Sequence, residues 1–595
     1  MAQRRSRRRN AEYNAAEDLH INSEAYSRKR NIRTRRRKER KIKTFLAALV
    51  VLLLCVGIAG IFIYQKYSPS KEQKDLNEWF EVSGNEVKVH LNDSRAEDIL
   101  GLYENGTVYL PISWVTENIN KRFYWNEAEE LLTYTLPDEI KDMDSESTDD
   151  EGLPVFIIGD SGMLLGINTI EKYTDIRVGD FSGDEETAKR IFIYTENGPY
   201  KRAEVKKDTA IRTKGGIKSP VLAELLKGDC VNILEDMGDW SKVSSEKGFV
   251  GYVKNNRLSE PYDYTYESDF EEPVFEQNSI GEKVVLAWHF VSGSAGNATF
   301  DEYYANTKGL NVICPTWIQF KDNEGNYDNF TTQEYIDKAH AAGLQVWVMA
   351  DNFNSPTGRT EFKTKDVFSN TEKRRRVIDN LINDAVTYGY DGLNLDFESL
   401  PTDAGVHYVQ FFRELSVACR REGIILSIDN YVPFNFNDHY ELDEQADFAD
   451  YVIIMGYDEH TAGSEEAGSV ASIGYVRSGI EKTLEEVPKE RVINAVPFYT
   501  RVWEKSGPNL SSRALGMKDA ADYVENEGIE LAWDDETGQY YGKKVTDTVT
   551  LEIWQEDARS IRLKVDAIKE YGLAGVGAWR LGYEPSEIWD EMQLN

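Results

Sequence analysis

Cysteine and histidine are scarce in this chain. Its 595 residues include 4 Cys and 7 His. No Cys and His residues stand at the spacing of a zinc site, so we expect no structural metal and no cofactor. Cys55 lies in an apolar run, and the other three cysteines, Cys230, Cys314 and Cys419, are widely spaced. Such spacing argues against a disulfide framework.

Positive charge is scarce beyond the N-terminus. The net charge is −34, although residues 1–43 hold 16 Lys and Arg against 5 Asp and Glu. The main body of the chain therefore repels polyanions, and we expect no nucleic-acid partner for it. The basic segment could itself bind nucleic acid or anionic lipid. We interpret it instead as a disordered tail that sets membrane topology.

A single long apolar run covers residues 44–64. Its 21 residues carry no charge, which is enough to cross ~30 Å of hydrocarbon at ~1.5 Å per residue. A cleaved signal peptide is the alternative, but the long basic leader and the lack of a small-x-small cleavage site favour an uncleaved anchor. The positive-inside rule then predicts a single-pass protein of the cell membrane. Residues 1–43 would be cytoplasmic and residues 66–595 extracytoplasmic.

The next part of the chain, residues 76–200, has the pattern of a small α+β unit. Alternating strands and the sequence NG-x-x-YLP precede a short helix and a WNE strand. This pattern resembles the copper-amine-oxidase-like N-terminal module of Gram-positive surface proteins. The name implies no copper here, since His90 is the segment's one histidine. Residues 153–200 complete this module or form a second copy. Residues 138–151 hold eight carboxylates and one Lys, which predicts a solvated acidic linker.

Residues 203–259 have short β-rich runs separated by glycine-containing turns, which predicts a small barrel of about five strands. This segment resembles a bacterial SH3-like domain. The matching positions are Leu226, Gly228, Trp240, Val243, Gly248, Gly251, Tyr252 and Val253. The resemblance implies a binding site for cell-wall peptide or a spacer, and Trp240 could be either a core residue or a ligand platform.

Residues 282–595 alternate apolar strands with amphipathic helices eight times, which predicts a closed parallel barrel of the TIM (β/α)8 type. We therefore expect a multidomain chain: a transmembrane helix, a small α+β module, an SH3-like barrel and a C-terminal TIM barrel. Ligands of such barrels bind at the C-terminal ends of the strands. The eight predicted strands cover 283–291, 310–320, 344–351, 389–398, 424–432, 450–459, 491–500 and 573–582.

The fourth predicted strand ends in DGLNLDFE, residues 391–398. A period of two sends Asn394, Asp396 and Glu398 into the barrel. Three polar groups in a barrel mouth are costly to bury, which favours catalysis over a hydrogen-bonded structural layer. A carboxyl two residues from another stays protonated near neutral pH, as a general acid requires.

These residues resemble the D-G-x-D-x-D-x-E signature of glycoside hydrolase family 18, the chitinase-like enzymes. Asp391 and Gly392 open the signature, and we expect them to be structural. Tyr457 on the sixth strand is expected to be catalytic. The expected substrate-binding residues are Asn394 in the signature, Met455 and Asp458 on the sixth strand, Tyr499 and Arg501 on the seventh, and Trp579 on the eighth. Aromatic rings at a barrel mouth suit sugars, whose C–H faces stack on them.

The resemblance implies substrate-assisted hydrolysis of N-acetylglucosamine-containing glycan with retention. Glu398 would be the acid, Asp396 would orient the substrate's acetamido group, and Tyr457 would bond its oxygen. Asn394 stands where the family usually has Asp. It could hydrogen-bond Asp396 but could not store a proton.

That substitution and the segment WQEDARSI (554–561) resemble the spore-cortex and peptidoglycan branch of the family. Peptidoglycan is therefore the expected substrate. A chitinase is the first alternative, although residues 504–547 leave room for only a small insertion. A glycan-binding barrel without catalysis is the second.

Overall fold

The computed structural model describes residues 3–160, 162–183, 187–353 and 361–594. The chain forms two compact units. One comprises residues 1–108 and 176–268, and the other comprises residues 109–175 and 269–595. The expected module of residues 76–200 is therefore divided between the two units.

The first helix, α1 (Gln3–Tyr67), passes through both the basic segment and the apolar run. The expectation of a disordered basic tail was therefore wrong for this helix. Residues Arg37–Tyr67 are long and apolar enough to cross a membrane by length and composition, and their apolar window is fully exposed. A signal sequence near the N-terminus would meet the same criteria.

Seventeen strands and three α-helices are described between α1 and the barrel. In chain order they are α2 (Leu76–Phe80), β1 (Glu86–Leu91), β2 (Ser94–Glu104), β3 (Thr107–Pro111), α3 (Ile112–Asn118), β4 (Tyr124–Asn126), β5 (Leu131–Thr135), β6 (Ile140–Met143), β7 (Phe156–Gly159), β8 (Gly162–Gly166), α4 (Ile167–Tyr173), β9 (Arg177–Asp180), β10 (Arg190–Tyr194), β11 (Tyr200–Glu204), β12 (Thr209–Arg212), β13 (Val221–Leu225), β14 (Cys230–Asp236), β15 (Trp240–Ser245), β16 (Phe249–Lys254) and β17 (Tyr262–Tyr264).

The first unit contains two sheet regions. In one, β1 pairs with β2 in antiparallel and with β10 in parallel, and β9 lies beside β10. The other is antiparallel, with the order β13-β12-β16-β15-β14-β11-β17. Its core includes Val231, Val243 and Val253, whereas Trp240 is half-buried. Short strands around one small core agree with the β-rich pattern of residues 203–259.

Residues 109–175 form the smaller part of the second unit. Here β3 pairs with β8, β8 pairs with β7, and β4, β5 and β6 make a separate antiparallel sheet. Strand β6 lies within the stretch expected to be a solvated linker, so that expectation was wrong for residues 140–143. The reason is that Asp142 accepts hydrogen bonds from Thr133 and Arg375, and Met143 is buried.

The barrel occupies most of residues 269–595. Its elements are β18 (Val284–His289), α5 (Phe300–Tyr304), β19 (Val312–Pro315), β20 (Ile318–Phe320), β21 (Tyr327–Asn329), α6 (Gln333–Ala341), β22 (Gln345–Asp351), α7 (Thr364–Phe368), α8 (Thr371–Tyr388), β23 (Gly392–Asp396), α9 (Thr402–Glu422), β24 (Ile425–Tyr431), α10 (Leu442–Phe448), β25 (Tyr451–Met455), α11 (Ile473–Thr483), β26 (Val492–Pro497), β27 (Tyr499–Ser506), β28 (Asn509–Gly516), α12 (Met517–Glu527), β29 (Leu531–Asp534), β30 (Gln539–Val545), β31 (Thr550–Gln555), α13 (Ala558–Tyr571), β32 (Gly575–Trp579) and α14 (Ile588–Glu591).

Eight parallel strands close this barrel, as the sequence predicts. Their order is β19-β18-β32-β26-β25-β24-β23-β22, and pairing of β22 with β19 completes the ring. All five residues of β23 are buried. Each barrel strand packs against helices on its outer face and against the side chains of the barrel interior on its inner face. Because both faces are shielded from water, the strands appear in the sequence as continuous apolar runs.

The insertion before the last barrel strand is larger than expected. Strands β27 to β31 form a five-stranded antiparallel sheet, order β28-β27-β31-β30-β29, and α12 packs on it. Buried and partly exposed residues alternate in β31, where Leu551 and Ile553 lie on the face that packs against α12.

Candidate active site

A cavity of about 180 Å³ opens at the C-terminal ends of the barrel strands. Four carboxyl groups line it, those of Asp396, Glu398, Asp429 and Asp458. The described residues that line it include no Lys or Arg. The remaining lining residues are Trp288, Phe353, Tyr431, Met455, Tyr457, Tyr499 and Trp579. Such a cavity repels anions and stabilises positive charge that develops inside it.

Glu398 follows β23 and is held from two sides. Its backbone N–H donates to Asn352 Oδ1 at 3.0 Å, and its carbonyl oxygen accepts from Asn352 Nδ2 at 2.8 Å. The hydroxyl of Tyr431 donates to Glu398 Oε2 at 2.7 Å. Burial raises the pKa of Glu398, the Tyr431 hydrogen bond opposes this, and Asp458 adds to it. A half-buried carboxyl with a raised pKa is suited to general acid chemistry.

Asp396 lies two residues earlier and is only 4% exposed. Its Oδ1 has no hydrogen-bond partner among the described residues. Burial raises the pKa of Asp396 well above its ordinary value, and the nearby Asp429, Glu398 and Asp351 raise it further. An isolated buried carboxylate is strongly disfavoured, so this environment favours the protonated form of Asp396.

Asn394 is fully buried and does not line the cavity. Its Oδ1 accepts from Trp288 Nε1 at 3.1 Å, and its Nδ2 donates to Asp429 Oδ1 at 2.8 Å and to Ser427 Oγ at 3.1 Å. The expectation that Asn394 pairs with Asp396 was therefore wrong, because neighbouring strands already supply partners to its amide. It belongs to the hydrogen-bonded layer below the cavity.

The sixth, seventh and eighth strands supply the predicted aromatic wall. Tyr457 and Tyr499 meet edge to face, with ring centroids 6.0 Å apart. The Tyr499 hydroxyl donates to Asp458 Oδ1 at 2.6 Å. Burial raises the pKa of Tyr457 well above its ordinary value, so its hydroxyl stays a hydrogen-bond donor. Met455 and Trp579 lie in the same wall.

Three predicted residues lie elsewhere. Arg501 donates to Ser512 Oγ at 3.0 Å within the insertion sheet and is not part of the cavity lining. The Asp391 carboxylate, at the other end of β23, accepts from the backbone N–H of Val346 at 2.8 Å. Gly392 faces Trp347, and a Cβ added to it would stand 2.7 Å from the indole. The last two positions are therefore structural.

Five residues of the site were not predicted from the sequence. Asp429 and Tyr431 lie on β24, Trp288 lies on β18, and Asn352 and Phe353 follow β22. The same sequence pattern could have identified each of them, because each is a polar or aromatic residue near the C-terminal end of an apolar strand. The segments SIDNY and VMADN carry it.

The profile of the glycosyl hydrolases family 18 matches residues 230–584, which is more than half of the chain. The chain belongs to glycosyl hydrolase family 18. It is therefore a glycoside hydrolase of the chitinase-like family, which implies a glycan that contains N-acetylglucosamine.

The relatives of this family 18 chain include two proteins of Bacillus subtilis (strain 168). The chain is 25% identical over 292 residues to uncharacterized glycosylase YvbX, covering 47% of this chain and 83% of that protein. It is 28% identical over 233 residues to the cortical fragment-lytic enzyme, covering 36% of this chain and 52% of the enzyme. The match thus spans about half of that enzyme's length.

One solved structure to which this chain is similar is the spore cortex-lytic enzyme SleL of Bacillus megaterium. The TM-score is 0.46 at 17% identity, covering 55% of this chain and 77% of that structure.

Proposed function

We propose that this chain is a membrane-anchored, extracytoplasmic glycosidase that hydrolyses the β-1,4 bonds of peptidoglycan beside N-acetylglucosamine. The observation that carries the proposal is the pair Asp396 and Glu398, which face one acidic cavity with raised pKa values. Two carboxyls of this kind can supply one acid and one group that opposes positive charge.

The proposed reaction uses the substrate's own acetamido group as nucleophile. Glu398 gives its proton to the leaving glycosidic oxygen while the acetamido carbonyl oxygen attacks the anomeric carbon. Asp396 accepts a hydrogen bond from the acetamido N–H and opposes the positive charge of the ring that forms. The Tyr457 hydroxyl donates to the acetamido oxygen. Glu398 then takes a proton from water, which opens the ring with net retention.

The other parts of the chain support peptidoglycan as the substrate. We infer that residues 44–64 anchor the chain in the membrane. We also infer that residues 203–259 are an SH3-like domain that binds cell-wall peptide. Residues 76–200 would be the copper-amine-oxidase-like N-terminal module of a surface protein. The name of the relative that acts on cortical fragments points the same way. An anchor and a wall-binding domain would hold the catalytic barrel beside its polymer.

The catalytic proposal is tested with the full-length chain in detergent and purified peptidoglycan. Glu398→Gln should abolish release of reducing ends and retain binding to the polymer, because the amide cannot donate the required proton. The matched control is Glu372→Gln, which changes an exposed residue of α8. Equal binding without turnover in both wild type and Glu398→Gln would instead make the barrel a non-catalytic glycan-binding domain.

The substrate itself tests the nucleophile. De-N-acetylated peptidoglycan should be inert, and chemical re-acetylation should restore cleavage, because the acetamido oxygen attacks the anomeric carbon. Equal cleavage of both polymers would contradict the mechanism. Faster cleavage of chitooligosaccharides than of peptidoglycan would favour the chitinase alternative.

The anchor is tested by fractionation of cells that express the full chain. Protein that stays in the membrane after alkaline extraction, with residues 66–595 digested by protease added to intact cells, agrees with the proposal. Release of a shortened soluble chain would mean that residues 44–64 act as a cleaved signal peptide.

A further inference from the structure

Family 18 signatures usually have an aspartate at the position of Asn394, and the structure places a different carboxylate beside this residue. Asp429 comes from the neighbouring strand β24, and its Oδ1 accepts from Asn394 Nδ2 at 2.8 Å. It is 3% exposed and lines the same cavity as Asp396. The carboxylate that β23 lacks at position 394 is thus present on β24.

The orientation of the Asn394 amide is fixed by its partners. Trp288 Nε1 can only donate, and it lies 3.1 Å from Asn394 Oδ1. The thiol of Cys314 also donates to this oxygen. The amide nitrogen must therefore face Asp429, and an N–H donor favours the ionised form of a carboxylate. Burial and the nearby Glu398 raise the pKa of Asp429, but the Asn394 donor opposes this rise.

Asp396 has the opposite environment. No donor among the described residues reaches its Oδ1, and its neighbours are other carboxyl groups. Two neighbouring buried carboxyls cannot both ionise easily at moderate pH, and the one that has a hydrogen-bond donor is the first to ionise.

We propose that Asp429 is the proton-sharing partner of Asp396, in place of the aspartate that the family signature has at position 394. This inference rests on the proposed function. Before the reaction, the proton is on Asp396 and the charge is on Asp429. When the acetamido N–H of the substrate reaches Asp396, the proton moves to Asp429 and leaves Asp396 negative beside the positive ring. It returns after hydrolysis, so the pair gains and loses no proton.

Other ionisable groups also face the pair. They are Cys314 from β19, Asp351 from β22, Glu398 after β23, Tyr408 from α9, Tyr440 before α10 and Tyr457 after β25. Burial raises the pKa values of the thiol and of the three hydroxyls, so they stay neutral. Asp351 accepts from the backbone N–H of Phe353 and does not line the cavity. Glu398 gives its proton to the sugar. Asp429 therefore remains as the partner of Asp396.

The decisive experiment moves the carboxylate back to β23. Asp429→Asn should lower kcat about 10- to 100-fold, in the range of one positioned proton-transfer group. Its activity should also fall at a higher pH on the acid side than in wild type, because Asp396 must then lose its proton to solvent. The double variant Asn394→Asp with Asp429→Asn should recover most of kcat and the wild-type acid limb.

Asp351→Asn is the matched comparison, since it removes a neighbouring carboxylate that has no bond to Asn394. Adding Asn394→Asp to it should rescue nothing. The inference would be overturned if Asp429→Asn kept the acid limb of the wild-type pH profile. It would also be overturned if the double variant were as stable as wild type but did not recover kcat.

Infrared spectra of the ligand-free enzyme separate this inference from the proposed function. Wild type should keep a protonated carboxyl band at neutral pH that is weakened in Asp429→Asn and returns in the double variant. If wild type cleaves no N-acetylated glycan, the proposed function fails. The carboxyl band would still show whether Asp396 and Asp429 share a proton. Identical bands in all three proteins would count against it.

Discussion

At the scale of single residues, the environment of Glu398 decides what its carboxyl can do. Burial raises its pKa, and the hydrogen bond from Tyr431 acts in the opposite direction. The Asn352 side chain bonds both the backbone N–H and the carbonyl oxygen of Glu398, so it fixes the backbone at this residue. The acid is therefore tuned by β24 and positioned by the end of β22.

Tyr431→Phe should shift the alkaline limb of kcat/KM to higher pH by up to about one unit. The hydroxyl stabilises the ionised form of Glu398, so its loss raises the pKa of the acid, and one pKa unit corresponds to about 1.4 kcal/mol. The pH profile on a soluble N-acetylated substrate measures the shift. Tyr440→Phe is the control, since that hydroxyl accepts from the backbone N–H of Leu400 instead. A downward shift in Tyr431→Phe would contradict this account.

At the scale of elements, β23 carries structural and chemical residues on one short strand. Its first residue, Gly392, lies against Trp347 of the neighbouring strand β22. The next inward-facing positions, Asn394 and Asp396, belong to the hydrogen-bonded layer and the cavity. A glycine in the signature is explained by the close approach of the indole, since any side chain there would displace it.

Gly392→Ala should destabilise the barrel by about 1–3 kcal/mol, the usual cost of overpacking a core. Urea unfolding of the full chain in detergent measures it. Gly474→Ala on α11 is the matched control, because nothing lies within 4 Å of the added Cβ. That variant should be neutral or slightly stabilised, since Ala favours helix more than Gly. Equal stability of the two variants would contradict the packing argument.

At the scale of the whole molecule, residues 109–175 belong to the catalytic unit. Arg122 Nε donates to Glu444 Oε1 at 3.1 Å, and Tyr124 hydroxyl lies 2.7 Å from His407 Nδ1. Burial raises the pKa of Glu444, but Arg413 and Arg122 outweigh it and hold that pKa below its ordinary value. These contacts join a segment from before the first barrel strand to helices α9 and α10.

Arg122→Met should cost about 1–3 kcal/mol at neutral pH, since it removes a hydrogen bond to a buried charge. The folded pKa of Glu444 is depressed, so this contribution is present above the unfolded pKa and is lost as pH falls through the folded pKa. The difference from wild type should therefore shrink in acid. Urea unfolding of both proteins at neutral pH and at acid pH measures this difference. The surface variant Arg376→Met should cost less than about 1 kcal/mol. An equal penalty at both pH values would contradict the ion-pair account.

A fragment of residues 269–595 should unfold at a lower temperature than residues 109–595. It lacks the partners of His407, Glu444 and Arg375, and it exposes the buried faces of α8, α9 and α10 to water. Thermal unfolding of the two fragments measures the difference. Equal midpoints would show that the barrel is complete without residues 109–175.

The sequence by itself determined the barrel, its eight strands and the pair Asp396 and Glu398. Parallel strands buried on both faces read as apolar runs, and a period of two assigns each residue of β23 to a side. These are local patterns, so they need no knowledge of distant residues.

Only the tertiary structure decided which groups surround that pair. Asp429, Tyr431 and Trp288 come from other strands, and side-chain distances across a barrel are not encoded in local spacing. The same holds for residues 109–175, whose partners lie some 230–325 positions further along the chain. The hydrogen-bond partners of Asn394 also differ from the expected partner, Asp396. They come from three other strands, which local spacing along β23 does not reveal.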